Sequence, residues 1–371
     1  MRFIFIREEI QLVHTHQALS SMAHEAMFHA RWLGIKTIFT DHSLFSLDQD
    51  VASVLTNKLL KFVLSDVDAV VAVSFAGKEN TCERGGVDQR QVWVIPNAVD
   101  TDEFRPRSAT DGESTQGSST PAPPPTTTTT IVVLSRLMYR KGIDLLVEAI
   151  PLICQAHPHV NFLIGGDGPK RVDLEQMRER HLLLDRVSLV GAVAQGEVQA
   201  HLTQGEIFLS PSLTEAFGTS LIEAASCGLL IVATDVGGVP EVLPDSMMLL
   251  AKPCTDSIVA QVGVALDRLQ AQAHSPREFH ERLKEMYNWD SVVDRLSVVY
   301  RQVMDKEDER TLMERLMRYH DHNGVVAGKV FCIVVAVDFV FFCLLSWLWP
   351  ADQIDRRGSE REGEEAGIED V

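Results

Sequence analysis

The sequence predicts an α/β protein with two parallel sheets covered by helices and one apolar helix near its end. Three observations carry this. Short apolar runs alternate with amphipathic stretches over 1–106 and again over 131–275, and repeated strand–helix alternation specifies parallel strands. A Ser/Thr/Pro-rich segment at 107–130 separates the two series. Residues 330–349 form an apolar run whose one ionisable member is Asp338, and that length is enough to cross a bilayer.

In the first series, residues 10–13 read as a strand ending at His14, Thr15 and His16. A helix over 20–33 follows, with Gly34 after it. Residues 36–40 are a strand ending at Asp41 and His42, and a helix runs on through Phe62. Asp66 and Asp68 read as the turn between that helix and the next strand, 69–73, not as a metal-binding pair at a strand's carboxyl end. Ser74 caps a helix from Phe75. Residues 92–95 are a further strand, ending at Pro96 and Asn97. Ligands of parallel sheets bind at carboxyl ends of strands, and His14, His16, Asp41, His42, Ser74 and Asn97 all sit at such ends. A doubly wound domain normally opens with a strand and a Gly-rich turn. None precedes Ile10, so this first domain is expected to be incomplete at its start.

The segment 107–130 has too little apolar surface to order itself and is expected to be a disordered insert. The second series opens with a strand at 131–134. Strands at 160–164, 187–190, 207–209 and 229–234 follow, with helices between them. Residues 276–325 read as a charged helical region, 326–349 as a transmembrane helix and 350–371 as an acidic tail. Trp347 and Trp349 suit an interface at one end of the span and Lys329 the other. Five basic residues before it (Lys306, Arg310, Arg315, Arg318, Lys329) against three after it (Arg356, Arg357, Arg361) place the main body in the cytosol. Asp338 is costly in lipid, so it is expected to face a partner helix or to be protonated.

Composition narrows the function. With 371 residues the chain has room for two ordinary domains. A net charge of −18 argues against nucleic-acid binding, which calls for a basic face. Cys82, Cys154, Cys227, Cys254, Cys332 and Cys343 lack CxxC spacing and read as reduced, buried thiols. Residues 1–6 are apolar, but Arg7, Glu8 and Glu9 end the run too early for a secretory signal.

The most informative stretch is 210–228. A strand leads into a loop carrying Glu215, and a helix from Thr219 carries Glu223 and stops at Gly228. The N–H groups around Phe217, Gly218 and Thr219 leave the helix N-terminus, where an anion or sugar oxygen can sit. Carboxylates accept from hydroxyls, so this arrangement suits a sugar nucleotide. Arg136 and Lys141 follow a strand end, and two fixed cations there can neutralise a diphosphate. Gly165, Gly166, Asp167, Gly168 and Pro169 form a turn that permits close backbone approach to a ligand.

Together these motifs resemble the retaining glycosyltransferases of family 4: Ser135-Arg136-Leu137 with Lys141-Gly142, Gly166-Asp167-Gly168-Pro169, Glu215-Ala216-Phe217-Gly218 with Glu223-Ala224, and Gly237-Gly238-Val239-Pro240-Glu241. The resemblance implies the GT-B fold of two Rossmann-like domains, an acceptor side over 1–106 and a donor-binding side over 131–275. Residues 14–26, 39–45 and 134–142 are similar to the branch that moves N-acetylglucosamine from UDP-N-acetylglucosamine to phosphatidylinositol, the first step of GPI-anchor synthesis. By that resemblance Arg136 and Lys141 bind the donor diphosphate and Glu215 contacts the transferred sugar. Gly166, Asp167, Gly168, Phe217, Gly218 and Thr219 line the donor site, Glu223 holds the ribose, and His16 faces the sugar from the acceptor side. His42 and Asn97 are further acceptor-side candidates, whereas His14, His24 and His29 read as structural.

The resemblance further implies retaining transfer with no metal or other cofactor. It implies a place on the cytoplasmic side of the endoplasmic reticulum membrane, and partner subunits of a transferase complex. The same residues admit a non-catalytic subunit that only binds partners, or a transferase with another lipid acceptor. Arg136, Lys141, Glu215 and Glu223 together oppose the former.

Overall fold

The structure, a computed structural model, describes residues 1–44, 51–107, 128–306 and 310–354. The chain forms two compact units, Met1–Ile95 with Asp294–Val371, and Pro96–Val293. Most of the insert expected at 107–130 and of the tail expected at 350–371 lies outside the described residues.

The first unit opens with α1 (Arg2–Arg7), where the sequence showed only a short apolar run. There follow β1 (Leu12–His16), α2 (Ser21–Trp32), β2 (Lys36–Asp41), α3 (Val51–Leu64), β3 (Ala69–Ala72), α4 (Phe75–Gly85) and β4 (Val92–Val94). The strands lie in the order β1-β2-β3-β4, each pair parallel. Every residue of β3 is buried, as expected of a parallel strand covered on both faces. The Ser20 and Ser74 hydroxyls accept from Ala23 N and Gly77 N and so start α2 and α4. One expectation is corrected here. His14, Thr15 and His16 lie inside β1, because they pair in register with Ile38, Phe39 and Thr40 of β2.

In the second unit the elements are β5 (Thr129–Leu134), α5 (Ile143–Ala156), β6 (Val160–Gly165), α6 (Arg171–Arg180), β7 (Val187–Gly191), α7 (Val198–Leu202), β8 (Ile207–Ser210), α8 (Thr219–Ser226), β9 (Leu230–Thr234), β10 (Met248–Ala251), α9 (Thr255–Gln270) and α10 (Pro276–Met286). Thr129 and Thr130, which the sequence placed in the insert, pair with Val160 and Asn161 and extend β5. The parallel sheet runs β10-β9-β8-β5-β6-β7. Chain order therefore reverses between β5 and β8, and the carboxyl ends of those two strands flank a switch point where doubly wound sheets bind ligands.

The chain continues through α11 (Trp289–Met304), α12 (Leu312–Asn323) and α13 (Val325–Leu348). Helix α13 has 24 residues and a mean hydropathy of 2.5 across its most apolar stretch, enough in length and composition to cross a membrane. Within the first unit, Gly328, Val335 and Phe342 bury one stripe of it. Asp338 faces another helix, α2. Trp32 Nε1 of α2 donates to its carboxylate at 2.7 Å, and His29 Nε2 stands 3.8 Å away. A carboxylate that would be costly among apolar side chains is thus satisfied within the chain.

Asp66 and Asp68 occupy the turn between α3 and β3 and form a buried ionic cluster. Asp66 is 3% exposed and faces Arg31, Arg310 and Arg315 at 3.4, 2.9 and 3.7 Å. Asp68 accepts from Arg310 at 2.7 Å and from Thr37 N at 2.8 Å. The expectation that all six cysteines are buried is corrected. Cys154 and Cys227 are buried, but Cys254 and Cys343 are exposed, the latter on a helix whose apolar surface is mostly unpartnered.

Candidate functional site

In the second unit, the loops after β5 and β8 bring Lys141 and Glu215 together as an ion pair. Backbone contacts set that meeting. Leu213 N donates to Arg140 O at 2.9 Å, and Gly238 N to Glu215 O at 3.0 Å, which attaches the 237–241 motif to the same loop. Gly142 has φ +69°, and a Cβ there would stand 1.8 Å from Pro211 O, so only glycine lets the two loops touch. The side chains of Lys141 and Glu215 keep 24% and 21% of their exposure. Such a partly exposed pair adds on the order of 1 kcal/mol to stability. Its value is positional: one ammonium and one carboxylate held side by side at the strand-order reversal.

A cavity of about 400 Å³ lies at the carboxyl ends of β5 and β6, lined from the same β5 loop by Ser135 and Arg136 and from α8 by Ser220 and Glu223. Ser135, Arg136, Gly166, Asp167, Ser220 and Glu223 give it a polar side, and Leu134, Val193, Val198, Leu202 and Phe208 an apolar one. A few convergent polar groups against an apolar wall suit a small ligand with one flat apolar part. The sequence did not single out the apolar wall, since its members come from separate β-α units and have no spacing of their own.

The glycine turn after β6 lines the cavity and also packs on its neighbour loop. The close approach it permits is to neighbouring backbone: a Cβ on Gly166 would stand 1.8 Å from Ser135 O. Leu137 N donates to Asp167 O at 2.9 Å across the same junction. The two loops are thereby locked, and Arg136 and Asp167 reach the cavity together.

Helix α8 begins at Gly218, with φ +89° and no side-chain cap. Leu221 N donates to Gly218 O at 2.9 Å, and no side chain caps the helix ahead of it, which suits an external acceptor at Thr219 and Ser220. Phe217 is buried and stacks edge-on against Tyr287 at 5.7 Å, so its side chain seats the loop while its backbone leads into the helix. Thr219 is exposed, and Asn97 Nδ2 lies 3.5 Å from its hydroxyl. Asn97 therefore belongs with the second unit and the α8 end, although the sequence associated it with the first sheet. Burial, with Glu103 nearby, raises the Glu223 carboxyl above its ordinary pKa.

In the first unit, His16 and His42 meet, Nδ1 to Nε2, at 3.0 Å. His14, which read as structural, stacks on His16 at 4.5 Å. Its two ring nitrogens stand 2.8 Å from the Tyr300 hydroxyl and 2.6 Å from Thr40. Burial and the neighbouring imidazoles lower the pKa of His14 to about 4, and burial lowers those of His16 and His42. Near neutral pH the three rings are therefore uncharged. One of His16 and His42 donates to the other, which fixes the tautomers and the role of the outer nitrogen of His16 towards a hydroxyl. Inside β1, His14 and His16 share a strand face; that face and Tyr300, nearly three hundred residues on, had no local signal once the strand is read as ending there.

Comparison with known proteins gives concordant results. Residues 118–274 match the family of glycosyl transferases group 1, and residues 1–49 match the PIGA (GPI anchor biosynthesis) family. A solved Anabaena protein, HepE in complex with UDP and glucose, superposes with a TM-score of 0.66 at 17% identity over 79% of this chain and 78% of that one. That likeness shows the fold, which is GT-B. The phosphatidylinositol N-acetylglucosaminyltransferase subunit of Arabidopsis thaliana is 48% identical over 96% of this chain and 75% of its own length. Its Homo sapiens counterpart is 44% identical over 96% of this chain and 70% of its own. The chain belongs to the PIGA family of phosphatidylinositol N-acetylglucosaminyltransferase subunits.

Proposed function

We propose that the chain transfers N-acetylglucosamine from UDP-N-acetylglucosamine to phosphatidylinositol, with retention at the anomeric carbon, as the first step of GPI-anchor synthesis. The observation that carries this is the Lys141–Glu215 pair at the strand-order reversal, with a cavity in the same unit lined by Arg136 from the Lys141 loop and by Glu223 from α8. In this reading the apolar wall takes the uracil, Glu223 accepts from the ribose hydroxyls, and Arg136, Lys141 and the α8 end hold the diphosphate. Glu215 accepts from a hydroxyl of the transferred sugar, and His16 meets that sugar from the acceptor side, with His42 holding its tautomer. The bond from the anomeric carbon to the diphosphate breaks, and UDP leaves with the electron pair. An inositol hydroxyl oxygen bonds to that carbon on the same face and gives its proton to the departing phosphate oxygen. Charge on that oxygen grows beside cations already in place, which is the largest usual source of rate. Those two cations fill the role a divalent ion plays in other transferases, so the reading is metal-independent. Helix α13 anchors the protein in the endoplasmic reticulum membrane with its catalytic units on the cytoplasmic side, among other subunits of a transferase complex.

The test is transfer in microsomes from cells that lack their own PIGA-family protein and express this chain. Labelled donor is expected to yield a glycolipid that a phosphatidylinositol-specific phospholipase cleaves. A labelled lipid resistant to that enzyme would show another acceptor, and label released only as free sugar would remove the transferase reading.

Glu223 adds a pH prediction. Its carboxyl titrates above the ordinary range, so ionising it destabilises the fold as pH rises from the ordinary Glu range up to the raised pKa, and by a constant amount above it. Glu223→Gln is therefore expected to raise the melting temperature at neutral pH. Donor KM is expected to rise about tenfold, since a hydrogen bond to a charged acceptor becomes one to a neutral acceptor. In the wild type, donor KM rises as pH falls through the raised pKa; in the variant that limb is flat. Thermal melts and KM against pH check both.

A further inference from the structure

The helix layer of the first unit carries a surface that the proposed reaction leaves unused. The chain holds 52 acidic residues against 34 basic ones, yet the 14 residues of α3 include no acid and carry Lys58 and Lys61. Its inner face is filled, with Leu60 and Leu64 buried in the core. Val54, Leu55 and Leu59 remain outside, Leu55 with 69% of its surface exposed. A helix covering a sheet normally turns a polar face outwards, so an apolar and basic outer face marks a contact.

That face runs into the start of α13. Residues three and four apart share one side of a helix, which aligns Leu55 with Lys58, Leu59 and Phe62. The Phe62 ring packs on Phe331 at 4.6 Å. Lys58 Nζ donates to the carbonyl of Asn323, the last residue of α12, at 2.9 Å. Val325, Val326 and Val330 then open α13, all exposed. Lys61 and Arg318 lie close enough to His322 to add to the lowering of its pKa, which burial begins. Apolar row, basic side chains and the first turns of a bilayer-length helix are thus one continuous surface.

We propose that α3 rests on an anionic phospholipid surface, with Val54, Leu55 and Leu59 among the acyl chains and Lys58 and Lys61 at the headgroup phosphates. This rests on the reading of α13 as a membrane anchor. Lysine suits the role because its stem lies along apolar surface while its ammonium reaches the polar boundary. Each cation near an anionic leaflet strengthens binding roughly fivefold. Because α3 follows β2, whose end carries His42, the contact holds the acceptor-side histidines at a set height above the leaflet. A protein partner would equally cover the apolar row, but it would not require two lysines on a helix without acids.

The experiment places a photoreactive benzophenone amino acid at Leu55, at Val337 on α13, or at the exposed Leu182 of the second unit. The full chain is reconstituted in nanodiscs of phosphatidylcholine with or without phosphatidylinositol. Leu55 is expected to cross-link lipid at about the Val337 level, roughly tenfold above Leu182, and to lose most of that yield without the anionic lipid. Lys58→Glu/Lys61→Glu is expected to reproduce the loss with Val337 unchanged, and raised ionic strength to do so without any substitution. Leu55 labelled no better than Leu182, with Val337 labelled, would overturn the proposal and leave the anchor standing. Neither Leu55 nor Val337 labelled would remove the anchor as well. In native membranes, a Leu55 cross-link to protein that is insensitive to salt would make this face a contact between proteins and overturn the lipid contact.

Discussion

Glu215→Ala is expected to lower kcat about 10²–10³-fold, with the protein still in the membrane fraction. The expectation follows from where the carboxylate stands. It is held beside Lys141 by its own loop and by the backbone bonds that join that loop to Arg140 and Gly238. Removing it takes away the acceptor proposed for the sugar and releases the Lys141 ammonium from its fixed place. The fold is expected to hold, because the pair keeps part of its exposure and adds on the order of 1 kcal/mol. Glu215→Gln keeps a hydrogen-bond acceptor but not the charge, so it is expected to fall between wild type and alanine. Transfer of labelled donor to lipid, measured beside thermal melts, separates the two contributions. Alanine activity within a factor of a few of wild type would end the assigned role.

Asp66→Ala is expected to destabilise the first unit by roughly 3–5 kcal/mol. Asp66 faces three guanidinium groups, from α2, from α12 and from the segment just before α12. Without its charge, those cations remain close together with Asp68 as their remaining carboxylate neighbour in the turn, and an uncompensated buried charge is what makes breaking such a cluster costly. Asp66→Asn keeps oxygen and shape, so its loss is expected to be smaller. Denaturant titration in mild detergent, following a probe in the first unit, measures the difference. An alanine variant within about 0.5 kcal/mol of wild type, the range of ordinary surface substitutions, would mean the cluster contributes nothing to stability.

The same turn shows how far local pattern reaches. A carboxylate, a valine and a carboxylate before an apolar strand were legible as a helix–strand turn. Nothing local pointed to Arg310 and Arg315 as their partners, because some 240 residues intervene. The histidines repeat the lesson. His14 and His16 read as the end of a strand, and their place inside β1 on one face, like the Tyr300 hydroxyl beside His14, came only from pairing and packing. Asn97 ended a strand of the first series by position and lies against Thr219 in the second unit.

By itself the sequence determined the α/β alternation, the bilayer-length apolar helix, the placing of Arg136, Lys141 and Glu215 in loops that follow strands, and that of Glu223 in the next helix. Each of these depends on periodicity or turn chemistry within a dozen residues, which the chain encodes locally. Tertiary structure alone decided the strand order that reverses between β5 and β8, the meeting of Lys141 with Glu215, the apolar wall of the cavity and the pairing of Asp338 with Trp32. Those contacts join segments far apart in sequence, where the energy of packing and of satisfying buried charge, not local propensity, selects one arrangement.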